Sequence, residues 1–446
     1  MQDAQGHALT TASEEAARAH DHVIDGFLKY RFETGARLKA LLALDPEAPM
    51  AQALVGIFSM LAYDRGFVPR AEAALARAES LHANDRERAH IAALRAWTEG
   101  RTDAALAIWE GIVADHPRDI LAFRLHHFNA FWMGAPERML SVVERVLPRW
   151  SAAVPGWGSV LACRCFANEE CGNYTVAEHA GRDAVALDPG DLWATHGVAH
   201  VLEMQGRRAE GIAWLDAGER HWDGGNNLMH HLWWHRAMFH VERAEFDEAL
   251  ALYDRRFRDH ASPVTQAQPD LYIDVQNAAS MLWRLERQGV PAGDRWTELA
   301  DKAEARIGDT LSAFTQPHWM MALAATGREA AAARLLDAVE AAGRGNTAHA
   351  TILREAALPA CRAVLAHRQG RHADAVAALR PALGGLYRLG GSHAQQDVLE
   401  QLFLDAAMKA GLHDDARLLL ERAAGRHPVP PERRIGYAEA ARSLAH

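Results

Sequence analysis

Residues 191–220 read DLWATHGVAHVLEMQGRRAEGIAWLDAGER, and the folding of this stretch decides the reading of the whole chain. Apolar residues recur at helical spacing as far as Met204, Gly206 interrupts them, and a second helical pattern opens at once with small residues. A helix, a glycine turn and a second helix are therefore expected. The same punctuation occurs earlier, in ECGNYTVAEHAGRDA around Gly172, TEGRTDAALAIWEGI around Gly100 and DRGFVPRAEAALARA around Gly66. Gly66, Gly100 and Gly134 are 34 residues apart, and so are Gly172 and Gly206.

A helix–turn–helix unit of this length is the tetratricopeptide period. VALDPGD at 185–191 and ADHPRD at 114–119 close units with a proline stop, while Ala105, Ala177, Gly211 and Ala249 put small residues where paired helices cross. RAEFDEALALYDRRF (243–257) repeats the second-helix pattern with Ala244 in the glycine position. The repeat slips in places: Gly134 to Gly172 spans 38 residues, and the units around Gly327, Gly370 and Gly411 have periods of about 40. Thr11 with Glu14 suggests a capping box for the first helix, a second helix ends at Asp45-Pro46, and residues 259–270 read as a loop. The expected fold is all-α, a curved α-solenoid of tetratricopeptide-like repeats that can close on itself. Residues 1–258 form its N-terminal repeats and 259–446 a continuous C-terminal set.

Composition narrows the function classes. Hydrophobic residues make up 49% and charged residues 24%, an ordinary folded composition. The net charge is −10 and only Lys29, Lys39, Lys302 and Lys409 are lysines, so no nucleic-acid partner is expected. Cys163, Cys165, Cys171 and Cys361 have neither zinc-finger spacing nor disulfide density. The N-terminus lacks an apolar leader and no apolar run reaches membrane length, so a cytoplasmic protein without a membrane partner is expected, with self-association left open.

Chemistry concentrates in residues 193–240. His196 and His200 are four apart on one helix, and His231 and His235 on another, so each pair shares a helix face. With Gly206 as the turn, Trp193, His196, His200 and Glu203 fall on the stripe facing the concave groove rather than the core. His231, His235 and Met238 fall on the matching stripe of the next unit. Three roles compete for these histidines. They can be tolerated polar groups on a groove wall, the ligands of a divalent metal (His196, His200, His231, His235), or acid–base and anion-binding groups titrating near neutrality.

Further candidates are scattered. His127 in LHHFNAF stands where a small residue usually permits helix contact, and Asp274 and His318 begin helices after loops. In GGSHAQQD (390–397), Ser392 is a candidate N-cap, with Gln395 and Asp397 on the polar side of the helix that follows. Trp233, Trp234 and Trp319 stand near these residues and suit an apolar pocket wall. No nucleotide loop, nucleophile elbow or zinc-protease HExxH pattern occurs.

The segments DPGDLWATHGVAHVLEMQGR, MHHLWWHRAMF, VQNAASMLWRLERQGV, FTQPHWMMA and LGGSHAQQDV together resemble the tetratricopeptide repeat protein 38 family, nearly end to end. The resemblance implies a helical-repeat fold. It marks His127, His196, His200, His231, His235, Asp274, His318, Gln395 and Asp397 as matched positions, and His393 departs from it where asparagine is familiar. No activity follows from the resemblance.

Two functions remain as expectations. One is a protein that binds a small molecule or peptide end in a concave His/Glu/Trp-lined pocket made of His127, Trp193, His196, His200, Glu203, His231, His235, His318, Gln395 and Asp397. The other is a metal-dependent or histidine acid–base hydrolase or isomerase in the same pocket. Its catalytic candidates are His200, His231, Glu203 and Asp274.

Overall fold

Glycines at 100, 134, 172, 206, 327, 370 and 411 adopt positive φ between 64° and 79°, each ending one helix and starting the next within a few residues. The repeat punctuation seen in the sequence is thus a left-handed backbone conformation that favours a residue without Cβ. The computed structural model describes residues 1–445. They form an all-α fold of tetratricopeptide-type helix–turn–helix repeats, with two isolated β-bridges and no strand among the described residues. No helix among them is long and apolar enough to cross a membrane.

Ala244 takes the glycine position, as the repeat predicts, at φ 58°. An L-residue there costs about 1–2 kcal/mol. Ala244→Gly is therefore expected to stabilise the protein by about 1 kcal/mol in urea unfolding. A loss of stability would show that the turn is held by contacts of the alanine methyl.

Three expectations are corrected. Gly66 is not a turn glycine: it lies in a 3-10 turn, Arg65–Phe67, and Tyr63, at φ 47°, takes the left-handed position. The 34-residue spacing to Gly100 there is coincidental, because Asp64 accepts from the Gly66 amide and caps the next turn instead. The first helix, Glu14–Leu28, is capped by Ser13, whose hydroxyl accepts from Ala16 N at 3.1 Å. Thr11 donates to Asp45 Oδ2 at 2.8 Å, so Asp45 ends its own helix and ties down the chain before the first one. Residues 259–270 also hold a short helix, Pro263–Ala267.

Packing divides the chain into two units, Met1–Val198 with Gly218–Met229, and Ala199–Ala217 with His230–His446. In the first, successive helices pair as antiparallel hairpins, for example Trp157–Glu170 with Tyr174–Leu187. Small residues permit the crossing: a Cβ on Gly181 would come within 2.5 Å of Val198 and 2.7 Å of Cys165 Sγ. In the second unit the helix Tyr272–Arg287 is central. It buries 13 of its 16 residues and packs against Arg295–Ala305, Thr315–Ala325 and His393–Lys409. Gly211 serves the same purpose as Gly181, since a Cβ there would lie 2.2 Å from Phe239 Cζ.

Candidate functional site

Three histidines meet in the second unit. His200 stands on the helix Leu192–Met204, and His231 and His235 share one face of the helix Leu228–Val241. Local signals set both helices: Asp191 Oδ1 accepts from Ala194 N at 2.9 Å, and Asn226 Oδ1 accepts from Leu228 N at 2.9 Å. One coordinating nitrogen from each of His200, His231 and His235 lies within 4.8 Å of the others. The ring of His235 is 4.4 Å from that of His200 and 4.6 Å from that of His231, edge to face in both cases.

Each ring is positioned by polar neighbours. His231 Nδ1–H donates to Asn277 Oδ1 at 3.0 Å, and its ring stacks on Trp234. His235 Nδ1 and Glu203 Oε2 are hydrogen-bonded at 2.7 Å. Holding Nδ1 in this way fixes the ring and assigns coordination to Nε2, which is how metal-binding histidines are generally oriented.

The electrostatics keep the rings neutral. Burial holds His200 well below its ordinary range, with His235, His231 and His393 adding like-charge repulsion. Burial and His235 do the same to His231, and burial alone lowers His235 to about 3. Burial pushes the Glu203 carboxyl up to about 8. Arg284 and Arg434 oppose the rise and Asp397 adds to it. At neutral pH the His235–Glu203 pair therefore carries a carboxyl proton that a cation on Nε2 would displace. A cavity of about 30 Å³, lined in part by Glu203, Met238, His393 and Asp397, adjoins this pair and has room for one or two waters.

The register places these histidines on an open groove wall, whereas His200, His231 and His235 are 0–2% exposed. At His231 and His235 Trp234 packs on the rings and Asn277 bonds His231, contacts that helix register does not report.

The other sequence candidates fall in several places. His318, on Thr315–Ala325, donates from Nδ1 to the Phe314 carbonyl at 2.8 Å and is lowered to about 4 by burial. Asp274 accepts from His230 Nδ1 at 3.2 Å, three residues before Asn277 on the same helix. Gln395 completes a capping box with Ser392, whose amide donates to Gln395 Oε1 at 3.0 Å. Asp397 accepts from Arg434 and Tyr437, both at 2.5 Å, and from Gln401 at 2.6 Å, with Arg284 at 3.8 Å.

His127, Trp193 and His196 belong to the first unit. There Trp193 lies 6.1 Å from His127 and 4.8 Å from His196, ring to ring. Sequence reading missed Asn277, Arg284 and Arg434. Asn277 carried a weak signal, since it falls one turn after Asp274 on a helix already singled out.

No protein-family model matches the chain. Among solved structures it is similar to the human IFIT1 dimer with PPP-AAAA (12% identity, 93% of this chain and 95% of that one, TM-score 0.41). It is likewise similar to the human IFIT1 dimer with m7Gppp-AAAA (14% identity, 98% and 96%, TM-score 0.39) and to the TPR domain of P58(IPK) (14% identity, 81% and 99%, TM-score 0.23). The likeness concerns the fold alone. It also corrects one expectation, that nucleic acid is excluded as a partner. The IFIT1 structures contain the oligonucleotides PPP-AAAA and m7Gppp-AAAA, which conflicts with that exclusion. A net charge of −10 averages over the whole chain, whereas an anion is held by a few local cations. The fold that these comparisons share with the chain is the tetratricopeptide-type helical repeat.

Proposed function

We propose that the second unit binds one divalent transition-metal ion through His200, His231 and His235. The observation that carries the reading is the convergence of three neutral, buried imidazoles whose nitrogens lie within 4.8 Å, two of them oriented through Nδ1. An all-nitrogen set of this kind suits zinc, whose Zn–N bonds of about 2.0–2.1 Å put tetrahedral ligands roughly 3.3 Å apart. Modest ring rotation closes that gap. Held there, the ion offers a coordination point for an oxygen or nitrogen of a small molecule or peptide end. The tetratricopeptide repeat protein 38 resemblance belongs to this reading as well, because its matched positions include these three histidines.

A second reading, a metal-dependent hydrolase, is favoured by Glu203. A carboxyl that titrates at about 8 beside a ligand histidine suits proton transfer near neutrality. Its chemistry would be polarisation of a bound carbonyl or water.

The test is the metal content of untagged protein as purified, beside the His231→Ala/His235→Ala double variant. About one zinc-like ion per chain in the wild type and none in the folded double variant is the expected result. Wild-type protein that is metal-free and takes up no added zinc at micromolar concentration would rule the site out.

A further inference from the structure

The first unit buries a cation with no carboxylate in ion-pair contact among the described residues. Arg124, on the helix Ile120–Trp132, is 2% exposed and forms no ion pair among the described residues. Its guanidinium donates to the Tyr30 hydroxyl and, at 3.9 Å, weakly to Cys163 Sγ. It also lies 4.5 Å from the Trp193 ring and 5.4 Å from the Tyr30 ring. These partners are neutral, because burial raises the Tyr30 hydroxyl to about 12 and the Cys163 thiol to about 11. The carboxyl of Asp191 favours the charged form of Arg124 electrostatically but makes no ion pair with it, and it is engaged in capping the Ala194 amide. Two aromatic faces stabilise a guanidinium without neutralising it, and a buried charge without a directly paired carboxylate is costly.

A second, independent observation adjoins the first. His127, one turn after Arg124 and 1% exposed, has no hydrogen-bond partner on either ring nitrogen. Its ring is 6.1 Å from both Phe166 and Trp193. Buried polar atoms of native proteins are nearly always satisfied, so an orphaned imidazole between aromatic walls points to a partner. Tyr30, which supplies both a ring and a hydroxyl here, holds φ at 55°, a strained conformation for a bulky side chain.

We infer that the first unit carries a receptor for a small aromatic oxyanion, a carboxylate or phosphate ester, with Arg124 as its counter-charge. Arginine presents a planar fork of donors that matches either oxyanion. Trp193, Tyr30 and Phe166 offer faces for an aromatic body, and His127 supplies one donor and one acceptor. The inference does not depend on the metal reading, since none of these residues is a proposed ligand.

The experiment titrates the full-length protein with benzoate and with phenyl phosphate at matched ionic strength, by calorimetry and by thermal melting. Saturable binding of one equivalent with a raised melting temperature is expected for at least one probe, and the probe that binds identifies the head group. Arg124→Gln should weaken that binding by about tenfold or more. His127→Leu, which leaves the charge in place, should weaken it less. Should Arg124→Gln fail to fold, the wild-type titration and His127→Leu still decide. Absence of saturable binding of both probes up to about 10 mM overturns the inference, as does unchanged affinity in the folded variants.

Discussion

Acidifying the metal-free protein from pH 7 to pH 5 lowers its unfolding free energy by about 4 kcal/mol before the histidine triad is counted. Four histidines outside the triad, three of them buried and His427 partly so, drive the loss. Burial lowers His126 and His318 to about 4 and His427 to about 3, and holds His127 well below its ordinary range. In the unfolded chain each takes up a proton below about 6.5, while in the fold each stays neutral. Their stabilisation is therefore complete above pH 6.5 and is lost as pH falls toward the folded values. Two buried carboxyls oppose them. Asp191, raised to about 6, and Glu242, raised to about 7, are protonated in the fold at pH values where the unfolded chain is ionised. They gain stability on acidification, but there are fewer of them. The triad and Glu203 add three groups to the loss and one to the gain. Because single domains are stable by about 5–15 kcal/mol, urea midpoints at pH 7, 6 and 5 should fall steeply. A midpoint that stays level or rises on acidification would mean that the histidines are charged in the fold.

Replacing Asp397 by alanine is expected to cost about 3–5 kcal/mol, the second-largest effect. Asp397 is the common acceptor for Arg434, Tyr437 and Gln401, and it faces Arg284. Removing it leaves Arg434 and Arg284, both almost fully buried, without their nearest counter-charge, and strands the Tyr437 hydroxyl. Neither guanidinium can neutralise itself by losing a proton. Asp397→Asn keeps the shape and some of the hydrogen bonding, so it should fall between wild type and alanine. Equilibrium urea unfolding of the three proteins checks the order. An Asn variant as damaging as Ala would assign the effect to charge alone, whereas a cost below about 1 kcal/mol for Ala would show the arginines to be solvated.

The fold was legible because its signals are local. A left-handed turn wants glycine, and a helix crossing wants a small residue, so both leave marks at fixed spacing along the chain. Gly66 misled because glycine is also at home in a 3-10 turn, while Tyr63 took the left-handed position without any mark in its type. The pairing of His231 with His235 was equally local, set by helical period. Its convergence with His200 followed from stacking adjacent repeats. What escaped were partners distant in sequence. Asn277 meets His231 across 46 residues and Arg434 meets Asp397 across 37, and no periodicity links such positions. Burial escaped for the same reason. Arg124 was hidden in another way, as one more arginine in an arginine-rich chain, and only its missing counter-charge sets it apart.

Gly211 has a consequence beyond close packing. Phe239, which fills the space where a Cβ would stand, lies one turn past His235 on the helix that also carries His231. The glycine is therefore a spacer that fixes how deeply that helix seats, and so how closely its histidine rings approach their neighbours. A side chain at 211 would lift the helix and spread the histidine rings; if the proposed metal is held there, discrimination among ions of different radius would change with no proposed ligand altered.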